Sequence, residues 1–466
     1  MRDSSLQSRG HAAILGSGIA GLAAAGALAP RFDRVTLYER DPAPQPEPRK
    51  GIPQGHHAHI LLKSGEIALN ALFPGLSEEL AARGSHPVNF GLELPWSHHG
   101  FWRVRYDSAD LVILMQSRPF LESVVRERLA GLGNVAFRYE TAAAGIEVEK
   151  GEGKNGRATG VRIRAASSEE ETIEPMDLIV DATGRGSQLP RFLAALGYGT
   201  PREDRVPIDL VYASRIYRIP PAQIPARIPE RAWKALLIYP IPPIDANAGL
   251  IFPLEGDRWM VTLVGYRDGA PPSDEAGWLD FARRLPEPTL YEAIRDAEPL
   301  SEIRTFHFPY ARWTRYEKLD RFPAGLLPIG DSVCSFDPVY GQGMSASALE
   351  ARALGDYLDR DRQAADPRPF LRAQARIVAA PWLLATSEDF RYPHLAGQRP
   401  FWMPLLQLYT GRVFRLATTR PADYDRLLRV LHLVDRPARL FHPATMLRVA
   451  ATAFTAPPAS RPERPG

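Results

Sequence analysis

The sequence predicts an α/β fold with an interleaved, mostly antiparallel β-sheet and a helical C-terminal region. Three observations lead there. Short apolar runs end in glycine-rich turns and pass straight into small-residue helices, once within residues 11–29 and again within 325–358. Between residues 206 and 264, short runs rich in Ile, Leu, Val, Tyr and Trp alternate with proline clusters, the pattern of strands in an antiparallel sheet. From Phe370 to Met446 the pattern turns helical, with an aromatic, arginine-rich middle around Phe401-Trp402-Met403-Pro404. At 466 residues the chain outgrows a single core, and a 45% apolar composition suffices to fill more than one.

Charge and cysteine usage narrow the function classes. The 57 basic and 54 acidic residues leave a net charge of +3, too small for an electrostatic footprint on nucleic acid, so no nucleic-acid partner is expected. No stretch approaches the ~20 apolar residues of a membrane helix, and Met1 to Gly10 lacks the apolar core of a secretory signal. The chain reads as soluble, without stable membrane insertion. The single cysteine, Cys334, rules out an internal disulfide and a cysteine-ligated metal cluster, and fits a reducing compartment; the expected localisation is cytoplasmic.

The first element in order is the run His11 to Leu15, a strand, followed by Gly16-Ser17-Gly18-Ile19-Ala20-Gly21 and an alanine-rich helix that Pro30 terminates. Arg34 to Tyr38 resumes strand character and ends in Glu39-Arg40, about 20 residues beyond the glycines. This is a Rossmann-like dinucleotide site. Gly16 permits the tight turn, Gly18 lets backbone approach a pyrophosphate, and Gly21 lets helix and strand pack closely. The helix N-terminus faces the phosphates with free N–H groups, and Glu39 can accept both ribose hydroxyls of an adenosine.

Two later segments choose FAD. Met176 to Val180 is an apolar strand that stops at Asp181-Ala182-Thr183-Gly184-Arg185-Gly186-Ser187, as buried parallel strands do where they empty onto a cofactor. The run Gly325 to Asp331 ends a further strand in Gly330-Asp331, and Asp337-Pro338-Val339-Tyr340-Gly341-Gln342-Gly343-Met344 opens the helix from Ser345 to Leu358. Asp331 is placed to hydrogen-bond the hydroxyls of a ribityl chain. Gly341 and Gly343 leave room for a flat ring against backbone, and the helix start at Gly343-Met344 aims N–H groups at the ring edge that becomes negative on reduction.

The middle strands, expected at Leu210 to Ile216, Ala235 to Ile241, Gly249 to Leu254 and Trp259 to Val264, would roof the ring and hold substrate. Candidate substrate contacts are Tyr212, Phe252, Trp259 and Phe308. The C-terminal helices read as a lid packed on the sheet in preference to a membrane-surface patch, because the apolar run is short and broken by Pro404. His56, His57 and His59 lack a third ligand of defined spacing, so no metal is expected, and a loop near flavin or substrate is preferred for them.

Taken in order, Gly16 to Gly21 with Glu39-Arg40, Arg118 opening Arg118-Pro119-Phe120-Leu121-Glu122, Asp181 to Gly184, and Gly330-Asp331 with Pro338 to Met344 resemble the para-hydroxybenzoate hydroxylase superfamily of single-component FAD monooxygenases. Within it, Arg49 to His59, Asp181 to Ser187 and Phe336 to Ser345 look most like the polyether and terpenoid polyene epoxidases of the monensin and lasalocid type. The resemblance runs from about Ala12 to Met446. It implies that Gly16, Gly18, Ile19, Ala20 and Gly21 hold the pyrophosphate, that Glu39 and Arg40 border the adenosine ribose, and that Arg118 meets the phosphate or ribose side. It further implies that Arg49 and Gly51 lie on a strand Arg49 to Gln54 bordering the flavin, and that Asp181 and Gly184 form the second cofactor turn. Gly330 and Asp331 would meet the ribityl and pyrophosphate, with Pro338, Gly341, Gly343 and Met344 along the isoalloxazine.

The implied partition is a discontinuous FAD-binding domain of residues 1–75, 105–190 and 300–365, a substrate sheet of 76–104 and 191–299, a helical region of 366–456 and a disordered tail of 457–466. The implied activity is oxygen transfer from a flavin C4a-hydroperoxide to carbon–carbon double bonds of a lipophilic substrate, in secondary metabolism. Dioxygen is the co-substrate, with electrons from NAD(P)H, directly or through a separate flavin reductase. Aromatic hydroxylation and reduction of isoprenoid double bonds are the alternatives. A flavin halogenase is disfavoured, since its W-x-W-x-I-P signature is absent. An alkene is itself the nucleophile, so no catalytic acid or base is assigned.

Overall fold

The computed structural model describes residues 10–44, 53–150, 155–218, 233–266, 269–361, 363–393, 395, 397 and 399–452. Its centre is a five-stranded, wholly parallel sheet in the order Leu326–Pro328, Leu178–Asp181, His11–Leu15, Arg34–Tyr38, Val135–Arg138. The middle strand is buried from Ala12 to Leu15, which explains its unbroken apolar run: a strand covered on both faces has no polar side to show. The helix Ile19–Leu28 is buried along nearly its whole length and so shows no polar stripe. Its Gly26 is where Phe73 packs; a Cβ there would sit 2.4 Å from the ring. The 18-residue helix Gly343–Arg360 lies alongside it and shares the same core.

Three antiparallel strands, Thr141–Glu149, Arg157–Ala165 and Glu171–Pro175, form a small separate sheet. The second large sheet has nine strands and is mostly antiparallel; its spine is Arg304–Thr314, Glu203–Arg218, Arg258–Tyr266 and Ala248–Leu254. Leu236–Ile238 extends it and pairs in parallel with Trp96–His98. The 16-residue strand Glu203–Arg218 is bent by a register shift between Pro207 and Leu210, where Asp209 adopts φ +55°.

The expected partition needs correction at three points. Arg304–Thr314, assigned by sequence to the nucleotide domain, is a strand of the antiparallel sheet, because ten of its residues find partners along Glu203–Arg218. The helix Leu189–Ala195 instead buries Leu189 and Leu193 in the nucleotide core. The described part of the expected strand Arg49 to Gln54 begins a 3-10 turn, Pro53–His56; Arg49 and Gly51 lie outside the described residues, as does the tail 457–466.

The C-terminal region is helical: Arg368–Asp389, Met403–Leu416, Pro421–Leu431 and Pro443–Ala451. Val413, Phe414, Leu427 and Leu428 share a core with Trp96, Leu237, Leu250 and Phe252, so these helices cover one face of the nine-stranded sheet.

Candidate cofactor and substrate cavity

Three stretches far apart in sequence converge at the carboxyl ends of the parallel strands. A Cβ built on Gly16, where φ is +98°, would lie 2.5 Å from the carbonyl oxygen of Ala182; one on Gly21 would lie 2.0 Å from that of Gly16. A Cβ on Gly330, at φ +69°, would lie 2.7 Å from the Ala20 methyl. The glycines are therefore required by packing of the two strand exits against the first helix.

The helix Ile19–Leu28 starts at Gly18 without any side-chain cap, and Gly18, Ile19 and Ala20 line the cavity, so first-turn N–H groups are left for a ligand. Glu39 is buried. Its Oε2 accepts hydrogen bonds from the Ser17 amide (3.0 Å) and hydroxyl (2.9 Å), and its Oε1 accepts from the Asp41 amide (3.2 Å), which fixes the carboxylate beside the glycine turn. Arg40 lines the cavity with an exposed side chain. Arg118, at the start of the helix Arg118–Ala130, also lines it and donates from Nε to Glu122 at 2.8 Å.

Asp181 lines the cavity, with its carboxylate held by its own turn. Its Oδ1 accepts from the Thr183 amide (3.0 Å) and hydroxyl (2.5 Å) and its Oδ2 from Ser187 (2.5 Å), so it holds the turn that carries Gly184, at φ +75°. Burial raises its carboxyl above the usual range, opposed by these donors. Asp331 differs: its carboxylate also lines the cavity but receives no hydrogen bond from the described residues. Burial raises its pKa as well, against the pull of Arg185. The Arg185 guanidinium lies 4.1 Å from the Phe308 ring centroid and donates to Ser335 at 2.6 Å.

Gly341 (φ +66°) ends the 3-10 turn Pro338–Tyr340, and the long helix begins at Gly343, again without a side-chain cap. Pro338, Gly341, Gly343 and Met344 line the cavity, and a Cβ on Gly343 would be 3.9 Å from an Asp331 carboxylate oxygen. Behind the loop, Asp337 and Asp389 are fully buried; Asp337 Oδ1 accepts from the Val339 amide at 2.8 Å and Asp389 Oδ1 from the Tyr340 hydroxyl at 3.3 Å, and burial raises both, Asp337 to about 6.

The cavity, ≈ 800 Å³, continues from these segments to an apolar chamber walled by Phe90, Trp96, Phe252, Phe308, Leu384 and Phe414. Tyr212, Phe252 and Phe308 are on its wall, and the buried Tyr212 hydroxyl has no hydrogen-bond partner among the described residues. Trp259 is not. Side chains alternate along Arg258–Tyr266: Thr262 faces the cavity, while Trp259, Val261 and Leu263 face the other core, where Trp259 packs edge-on against Trp233 at 5.8 Å.

The histidine cluster resolves into separate roles. Nδ1 of His57 is 2.8 Å from the Ser214 hydroxyl, which in turn meets Thr262 at 2.6 Å, and Nδ1 of His59 meets the His57 carbonyl at 2.9 Å. Burial pushes His57 down to about 3 and His59 to about 4, so both are neutral at ordinary pH. Sequence reasoning missed His98, His99 and Glu388, whose ligand-type atoms lie within 4.8 Å of one another. Arg391 donates to the same carboxylate at 2.9 Å and supplies its counter-charge. It also missed the contribution of Val413, Phe414, Leu427 and Leu440 to the chamber; the signal was the apolar face of helices read only as a cover.

No family profile matches this chain. In fold it is similar to the flavin-dependent brominase Bmp2 (TM-score 0.67, 14% identity, 95% of this chain and 99% of that one). It is also similar to p-nitrophenol 4-monooxygenase PnpA from Pseudomonas putida DLL-E4 (TM-score 0.58, 14% identity, 94% and 97% covered). The mixed α/β architecture with its helical C-terminal region is thus that of flavin-dependent monooxygenases and halogenases. In sequence it is 31% identical over 440 residues to Protein Rv3254 of Mycobacterium tuberculosis (strain ATCC 25618 / H37Rv), spanning 91% of this chain and 90% of that protein. The chain belongs to the family of Protein Rv3254.

Proposed function

We propose that this chain is an FAD-dependent monooxygenase that epoxidises carbon–carbon double bonds of a lipophilic polyene, polyketide or terpenoid in secondary metabolism. The observation that carries the reading is one continuous cavity joining an uncapped glycine-turn helix, an undonated carboxylate and an apolar, aromatic-walled chamber. Gly16, Gly18, Ile19, Ala20 and Gly21 would hold the pyrophosphate, Glu39 and Arg40 the adenosine ribose, Arg118 the phosphate side and Asp331 the ribityl hydroxyls. Gly341, Gly343 and Met344 would lie along the isoalloxazine, with Gly184, Gly330 and Pro338 shaping the cradle.

The residues present fit FAD: Asp331 has acceptor capacity that no described residue uses, and both helix starts at the cavity leave N–H groups free of side-chain caps. When bound and reduced, FAD supplies the activation of dioxygen, with electrons from NAD(P)H directly or through a reductase. The chain's own work is to bind, orient and keep dry. Phe90, Trp96, Phe252, Phe308 and Phe414 exclude water from the chamber. The N–H groups at Gly343 and Met344 would stabilise negative charge at the ring edge.

The test is incubation of purified protein with labelled dioxygen, a reductant and a panel of polyenes, terpenoids and phenols. Label in an epoxide supports the proposal. Label in a phenol ring would reassign the chain to aromatic hydroxylation, and a saturated double bond without label to isoprenoid reduction. Label found only in water or peroxide would refute oxygenation of that panel.

A further inference from the structure

We propose that the outward face of the helix Met403–Leu416, continued by Phe441 and the helix Pro443–Ala451, docks on an anionic lipid bilayer surface. Half of the exposed large apolar side chains among the described residues fall within residues 401–447; the others are scattered singly over the molecule. Phe401 is 95% exposed, Leu405 71% and Leu408 52%. Leu405 and Leu408 lie on one stripe of the helix, with Phe401 in the turn just before it, whereas Val413 and Phe414 project from the opposite side into the chamber. Phe441 joins the stripe by stacking on Tyr409, ring centroids 4.7 Å apart, and Leu447 lies 74% exposed on the next helix.

Charge selects the occupant. Residues 391–452 hold ten arginines and no lysine against three aspartates; Arg391 pairs with Glu388, Arg426 and Arg448 with Asp423 and Arg429 with Asp435, while Arg399, Arg420, Arg436 and Arg439 are exposed, in a chain whose total charge is only +3. Outward apolar side chains flanked by arginines match the headgroup boundary of an anionic leaflet, into which such a face sinks while cations stay at the phosphates. No helix among the described residues is long and apolar enough to cross a membrane, and the contact proposed is peripheral. Because the same helix walls the chamber from its other side, a lipophilic substrate would pass from the bilayer past this helix; that route rests on the oxygenase reading, whereas the docking does not.

The test is co-sedimentation of the flavin-loaded protein with vesicles of phosphatidylcholine and of phosphatidylcholine mixed with phosphatidylglycerol. Binding to the anionic vesicles is expected to exceed binding to the neutral ones about tenfold and to weaken as salt is raised. The exposed pair Phe401→Glu and Leu405→Glu should lower it at least about tenfold with unchanged thermal stability and flavin content. Equal sedimentation with both vesicles, or none, would overturn the proposal. So would light scattering that finds a dimer dissolved by the double variant, which would give the patch to a second copy of the chain. Vesicle binding needs no turnover, so its failure is separate from failure of oxygen incorporation.

Discussion

Gly341 and Ile60 stand so close that a Cβ on the glycine would lie 2.1 Å from the Ile60 Cγ2 methyl, while the Gly341 backbone sits at φ +66°. Space and backbone angle both demand glycine at this point of the cavity wall. The loop from Asp337 to Gly343 thereby lines the cavity with bare backbone at Gly341 and Gly343, while Asp337 behind it accepts a hydrogen bond from the Val339 amide at 2.8 Å.

Gly341→Ala should therefore fold but bind FAD about tenfold more weakly, because the loop must shift to relieve the contact. Flavin content after gel filtration checks this. Adding Ile60→Ala should restore part of the loss, since it removes the clash and leaves only the backbone strain.

Glu350 gives a pH signature. It is buried, accepts hydrogen bonds from the Gly330 amide and from Gln374, both at 2.8 Å, and burial pushes it from 4.5 up to about 8. The folded state thus binds this proton more tightly than the unfolded state. Stability is greatest below pH 4.5 for this group and falls as pH rises toward about 8, by on the order of 1.4 kcal/mol for each unit of the raised pKa. Thermal melts should show the wild type losing stability from pH 6 to 8 relative to Glu350→Gln, which keeps the hydrogen-bond acceptor without the titration. Parallel curves would show that Glu350 does not hold its proton.

Phe252 and Trp259 occupy neighbouring strands but opposite faces. Each truncation to alanine should cost about 3 kcal/mol of stability. Only Phe252→Ala should also raise KM for a lipophilic substrate several-fold, since only Phe252 touches the chamber. Steady-state kinetics of the two variants checks this.

The nucleotide half of the fold was legible because its elements are punctuated locally: glycines at Gly16, Gly18 and Gly21, a stop at Asp181, and a strand exit at Gly330-Asp331. Trp259 was misplaced because a strand buried on both faces is apolar at every position, so its sequence does not say which side chains face which core. The segment Arg304–Thr314 was given to the nucleotide domain for a related reason. Its partners lie about a hundred residues upstream, and pairing at that range leaves no local mark. Asp337 was read only as part of a loop, since its buried neighbour Asp389 arrives from the end of a distant helix.

Titration of flavin-free protein with FAD, followed by absorbance and by quenching of flavin fluorescence, addresses the foundation of this reading. One FAD per chain is expected, bound about tenfold to a hundredfold more weakly by Asp331→Ala, which removes a cavity-lining carboxylate that accepts no hydrogen bond from the described residues. A chain that takes up no FAD, or an Asp331→Ala variant that binds it as tightly as the wild type, would contradict it.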